Sequence, residues 1–126
     1  MPVQLNHTIV WSADRTRSAR FLAALLGLPE PAKAWNFDVV QLGNGVGLDF
    51  ADAEGPIQSQ HYAFLVSETD FDAIFSRIKA QGLIYWADPM RRRQGEINHA
   101  DGGRGVYFAD PDGHLMELIT RPYGGA

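Results

Sequence analysis

The chain contains no cysteine. That excludes disulfides, thiolate metal ligands and cysteine nucleophiles. It also lacks an excess of positive charge. Eleven Lys and Arg stand against 15 Asp and Glu, a formal net charge of -4. Nucleic acid is therefore not the expected partner, and Arg91-Arg92-Arg93 is too short a run to change that. Long hydrophobic runs are missing too. The longest, from Phe21 to Leu28, is broken by Gly27 and falls far short of a bilayer span. No basic flank followed by an apolar core opens the chain, so no signal peptide is expected. These absences leave a cytoplasmic protein with no membrane partner as the expectation. At 126 residues, 45% hydrophobic and 21% charged, the chain suits one compact domain spanning 1–126, or two small modules sharing a core.

What is present is a repeat. His7 opens the strand-like Leu5-Asn6-His7-Thr8-Ile9-Val10, and His61 opens Gln60-His61-Tyr62-Ala63-Phe64-Leu65-Val66. Each runs into a helical pattern closed by a glycine, Gly27 and Gly82. Each half then ends in a hairpin with a carboxylate four residues after a turn glycine: Asp49 after Gly45, and Glu117 after Gly113. A duplicated unit that offers a histidine and a carboxylate twice can bring all four to one centre. Two imidazoles with one or two carboxylates are a metal-binding donor set.

The local patterns fill in the two modules, about 3–52 and 60–121. Val3 to Trp11 reads as a strand, and Ser12 can cap the following helix. Phe21, Leu22, Leu25 and Leu26 form its apolar stripe. Pro29 and Pro31 mark a loop. Phe37 to Leu42 and Val46 to Phe50 pair around Asn44-Gly45, a turn signal because both residues tolerate positive φ. In the second half Ser67 or Thr69 starts a helix carrying Phe71, Ile74, Phe75 and Ile78 at helical spacing. Leu83 to Trp86 is a short strand. A polar stretch from Ala87 to Arg104 has no counterpart in the first half. Gly105 to Ala109 and Leu115 to Ile119 form the last hairpin. The expected fold class is α+β: two βαβββ modules with pseudo-twofold symmetry, forming a cupped mixed sheet.

The segments Asn6-His7-Thr8, Leu25-Leu26-Gly27-Leu28 and His61-Tyr62-Ala63-Phe64 carry a resemblance, and Tyr107-Phe108-Ala109-Asp110-Pro111-Asp112-Gly113-His114-Leu115-Met116-Glu117-Leu118 carries it most strongly. Over about residues 3–121 the chain resembles the vicinal oxygen chelate superfamily. That group includes glyoxalase I, extradiol dioxygenases, methylmalonyl-CoA epimerase, fosfomycin-inactivating thiol transferases and bleomycin-binding proteins. The resemblance implies that His7, His61 and Glu117 are metal ligands. Asp49 falls where glyoxalase I and the epimerase carry a fourth, normally Glu. Asp is shorter, so Asp49 is either a ligand or an outer neighbour. Tyr107 matches a tyrosine that faces substrate in the fosfomycin enzymes.

Strand alternation puts Leu115, Glu117 and Ile119 on one face. His114 then points the other way and reads as structural. His99 lies in the insertion and reads either as a solvated loop residue or as part of a lid. Such a lid would bring His99, Arg92 or Arg104 over an anionic substrate. Trp11, Trp35, Phe37, Tyr85 and Trp86 line a cup or pack the core.

Glu117, Tyr107 and His99 are thus the candidate catalytic residues, and His7, His61, Glu117 and Asp49 the candidate ligands. The donor set suits a divalent Fe, Mn, Ni, Co or Zn ion. Acting as a Lewis acid on a small oxygen-rich molecule, such an ion supports lyase, isomerase or transferase chemistry. The short chain tilts the reading toward these reactions. An extradiol-type dioxygenase using Fe(II), and a non-catalytic drug-binding protein of the bleomycin-resistance kind, are the alternatives. A homodimer is expected, since symmetric dimers are the commonest oligomers.

Overall fold

The structure, a computed structural model, describes residues 2–123. Residue 1 and residues 124–126 of the expected domain lie outside the described residues. The chain divides into two compact units, 1–58 and 59–126. Each is the βαβββ module that the repeat predicts.

In the first unit the order is β1 (His7–Ser12), α1 (Arg15–Leu26), β2 (Ala32–Ala34), β3 (Phe37–Gln41) and β4 (Gly47–Asp52). The strands form one sheet in the order β1-β4-β3-β2, with β1 parallel to β4 and the remaining pairs antiparallel. The second unit repeats this with β5 (His61–Leu65), α2 (Glu68–Ala80), β6 (Tyr85–Trp86), β7 (Gly105–Ala109) and β8 (Leu115–Ile119). Its order is β5-β8-β7-β6, with β5 parallel to β8.

A helix rests on one face of each sheet because each strand alternates. Val10, Val40, Leu48 and Phe50 are buried with Leu22 and Leu25 of α1. Val106, Phe108, Met116 and Leu118 are buried in the second unit, as are Phe71, Ile74 and Ile78 of α2. No helix among the described residues is long and apolar enough to cross a membrane.

Two local expectations are corrected. The first strand begins at His7, not Val3; residues 2–6 are exposed, and Asn6 alone joins the ladder by accepting from the Gly47 N–H at 2.9 Å. Ser12 does not cap α1, because it is the last residue of β1 and donates its hydroxyl to the Val10 carbonyl. Asp14 takes that place, accepting from the Arg17 N–H at 3.1 Å. The Asn44-Gly45 turn forms, but only Gly45 has positive φ (86°). Both long hairpins use the same device. Gly45 donates to Leu42 O and Gly113 to Asp110 O, each at 3.1 Å, with Gly113 at φ 85°. Pro111 suits the second place of such a turn because its φ is already set.

Asp38 ties the first unit together. It is buried on β3 and meets Lys33 Nζ at 2.5 Å and Arg15 Nε at 3.0 Å. Burial pushes its pKa up, but the Lys33 and Thr16 hydrogen bonds and the Lys33 and Arg15 charges outweigh this and hold it below the ordinary 3.8. A depressed folded pKa stabilises the protein above the unfolded pKa, and that stability is lost as pH falls through the folded value. Thermal melts from about pH 7 down to about pH 2.5 should therefore show an acid-side loss that is shallower in Asp38→Asn, which is also less stable at neutral pH. Equal acid slopes in the two proteins would contradict this account.

Candidate metal centre

The site in the second unit is built on parallel strands β5 and β8. His61 pairs with Leu115 and Ala63 with Glu117, so the histidine and the carboxylate lie on one sheet face, two residues apart in register. His61 Nδ1 lies 3.0 Å from the Leu115 carbonyl. A carbonyl can only accept, so Nδ1 carries a proton, and Nε2 is the nitrogen turned to Glu117. Nε2 lies 3.1 Å from Glu117 Oε1. Two lone pairs facing each other repel; the contact becomes favourable only when a proton or a cation sits between them. An imidazole fixed through Nδ1 by a backbone carbonyl, with Nε2 aimed at an acidic oxygen, is the arrangement metal sites use to orient a histidine ligand.

Glu117 is 1% exposed, and a buried carboxylate is costly unless paired. Its second oxygen, Oε2, accepts from the Tyr123 hydroxyl. That hydroxyl lies 3.1 Å from the Tyr107 hydroxyl, and the Tyr107 ring is stacked on His61 with centroids 6.1 Å apart. Burial raises the Tyr107 pKa well above its ordinary value, and its contacts with Tyr123 and Glu117 raise it further. Burial and Glu117 likewise raise that of Tyr123. Both phenols are protonated donors at neutral pH, not bases.

The first unit repeats the frame with different side chains. His7 pairs with Gly47 and Ile9 with Asp49, the same register that His61, Leu115, Ala63 and Glu117 occupy. His7 Nδ1 meets Asn6 Oδ1 at 2.7 Å. With that amide oxygen as acceptor, His7 too carries a proton on Nδ1. Gly47 stands where the second unit has Leu115. A Cβ there would lie 3.3 Å from Asp49 Oδ1 and 3.7 Å from the His7 Cβ, so the missing side chain lets the Asp49 carboxylate lie back over the strand. A cleft of about 570 Å³ beside Asn6 is lined by Gln4, Leu5, Asn6, Asn44, Gly45 and Val46. None of these is titratable, so the cleft itself offers no acid or base.

The structure thus joins His61, Glu117 and Tyr107 in one unit, and sets His7 beside Asp49 in the other. Among the described residues, no group of three or more His, Asp or Glu that could hold a metal ion is found within the chain. His114 is fully buried; its Nδ1 accepts from the Gln60 N–H at 3.0 Å, and Tyr62 packs edge-on against it. It is structural, as strand alternation predicted.

His99 is exposed, just before the short 3-10 turn Ala100–Gly102. The insertion around it is pinned. Asn98 and Gly105 exchange two backbone hydrogen bonds at 2.9 Å, and Asn98 Nδ2 donates to Ala87 O at 2.8 Å. Arg104 is corrected as a lid residue. Its guanidinium bonds Glu68 at 2.7 Å and Asp72 at 2.8 Å and lies over Phe71, which makes it a strut for α2. Trp86 is buried and Tyr85 packs edge-on against Phe75, so these two serve the core. Tyr123 was not singled out by sequence. Six residues beyond Glu117 and outside the repeat, it carried no periodic or motif signal.

The family profile described as the Glyoxalase/Bleomycin resistance protein/Dioxygenase superfamily matches residues 4–118. The chain belongs to this superfamily. Its relatives there include the glutathione transferase FosA of Serratia marcescens, 33% identical over 121 residues covering 90% of this chain and 78% of that protein. Among solved structures, Oxidase ChaP-H1 is 60% identical with a TM-score of 0.97, covering 98% of this chain and 100% of that one. The fosfomycin resistance protein FosX from Mesorhizobium loti has a TM-score of 0.72 at 23% identity, covering 98% and 96%; that likeness shows the shared fold.

Because buried His114 accepts from the Gln60 N–H, His114→Phe should lower the unfolding free energy by about 0.5–1.5 kcal/mol, the net worth of one hydrogen bond. Urea denaturation checks this. A variant as stable as the parent would contradict the structural role.

Proposed function

We propose that the chain is a metal-dependent enzyme that oxidises a small oxygen-rich molecule. In this reading His61 Nε2 and Glu117 Oε1 are two ligands of a divalent ion. The observation that carries it is the His61 contact: Nδ1 is committed to the Leu115 carbonyl, which turns Nε2 to the buried Glu117 carboxylate. That donor pair fits a transition-metal ion. His7 is the third ligand, since its Nδ1 is engaged by Asn6 in the same way. In this reading the working form is a homodimer, the commonest symmetric assembly. Asp49, on the strand face of His7, is the candidate fourth ligand.

When bound, an ion from the Fe, Mn, Ni, Co or Zn group in a two-histidine, one-carboxylate set would supply Lewis acidity and open positions for neighbouring substrate oxygens; oxidation, with O2 as the electron acceptor, would call for a redox-active member such as Fe or Mn and not Zn. The chain's own residues prepare this. The Leu115 carbonyl fixes the His61 tautomer. The Glu117 charge is kept from water. The Tyr107 hydroxyl stays protonated and serves as a hydrogen-bond donor. His99 is exposed and enters no step.

Oxidation is favoured over lyase or isomerase chemistry by full-length likeness to proteins named oxidases, at 60% and 61% identity. Those proteins match this chain over 98–100% of their own length, so short length no longer tilts the choice toward the other reactions. Thiol transfer is the second reading, favoured by the 33% identity to FosA.

Purified protein should hold about one transition-metal ion per chain. Glu117→Gln should remain folded but bind the ion at least about 10–100-fold more weakly, the scale of loss seen even for outer partners of a ligand. Oxygen uptake with catechol and hydroquinone probes should depend on the metal. Protein that takes up no metal would favour a binding module, and metal-loaded protein that joins glutathione to fosfomycin without consuming oxygen would favour the transferase.

A further inference from the structure

Glu117 could present either carboxylate oxygen, or both, toward His61. The structure has it present one. Oε1 faces His61 Nε2 at 3.1 Å, while Oε2 is taken by the Tyr123 hydroxyl. The chain returns to make that contact. After β8, Thr120 is bound to Arg104: its N–H donates to Arg104 O at 3.0 Å, its Oγ1 accepts from the Arg104 N–H at 2.8 Å, and its hydroxyl lies 3.5 Å from Arg104 O. Arg121 then packs over Gly103, where an added Cβ would lie 2.8 Å from Arg121 Cγ and 2.5 Å from Thr120 Oγ1. Pro122 limits the next turn of the backbone. Tyr123 comes back to Glu117 from outside the repeat, and the Tyr107 hydroxyl meets Tyr123's at 3.1 Å.

We propose that Tyr123 is a positioning residue for Glu117: its hydroxyl holds Oε2, so that the carboxylate offers Oε1 alone toward the ion beside His61. This rests on the metal-dependent reading above and deepens it. A buried carboxylate with one oxygen tied by a fixed donor is held against rotation, and the donor occupies a lone pair of Oε2 that a metal would otherwise share. Tyr123 thereby sets both the affinity of the site and the number of positions left for substrate. The first unit has no equivalent, because β4 leads into the link between the units and Asp49 lies over Gly47 instead.

The test uses the full chain loaded with Co(II), whose visible spectrum reports coordination number, and a competing chelator to measure affinity. Tyr123→Phe removes one hydroxyl from a half-exposed ring. It should weaken Co(II) binding by about 10–100-fold, the range for loss of a ligand's hydrogen-bonding partner, and change the visible bands. Tyr123→Leu should do the same. Melts in excess chelator check that both variants are folded. Affinity and spectrum unchanged in both variants, whatever happens to the melting temperature, would reduce Tyr123 to a structural contact and overturn the proposal. Wild-type protein that takes up no Co(II) would overturn the metal reading itself and this proposal with it, an outcome distinct from the first.

Discussion

The candidate site depends on one interaction, the hydrogen bond from His61 Nδ1 to the Leu115 carbonyl. A histidine ring has two nitrogens, and whichever donates leaves the other as the lone pair. The parallel pairing of β5 with β8 puts that carbonyl under the ring, so backbone register chooses the tautomer. The same register sets Glu117 opposite Ala63, beside Nε2. The phenols of Tyr107 and Tyr123 then surround the carboxylate with donors that stay protonated. A lone buried carboxylate would be costly; the strand pairing, the tautomer and the phenols make this one tolerable, and a cation at Nε2 would stabilise it further.

The two units show how a duplicated frame diverges without losing its geometry. Both place a histidine at the start of the parallel strand pair and a carboxylate two residues on in register. Both close their long hairpin with the same glycine turn. The difference lies in two side chains. Leu115 against Gly47, and Glu117 against Asp49, turn a carboxylate that reaches its histidine into one that lies back over its own strand. One unit presents a two-donor pair and the other a histidine with a shorter acid beside it.

The repeat made the fold legible in the sequence because helix and strand periodicities alternate cleanly and glycine ends each helix and each turn. The strand facing of Glu117 and the structural role of His114 followed from alternation alone. Edges were less legible. Val3 and Leu5 look like strand residues, yet no ladder partner reaches them, and they remain exposed. Ser12 looks like a cap but is claimed by β1, a tertiary pairing that local sequence does not register. Arg104 read as a ligand for an anion because sequence could not show Glu68 and Asp72 waiting on α2. Tyr123 was invisible for a related reason: its partner Glu117 is met only after the tail folds back, through contacts with Arg104 and Gly103.

The most direct test of this account is crystallographic. Anomalous diffraction from crystals of the Co(II)-loaded protein locates the ion without reference to any assay. The account predicts a peak bonded to both His61 Nε2 and Glu117 Oε1 at roughly 2.0–2.2 Å, with His61 Nδ1 still on the Leu115 carbonyl. A peak elsewhere, or an ion bound through His61 Nδ1 with that carbonyl bond broken, would contradict it.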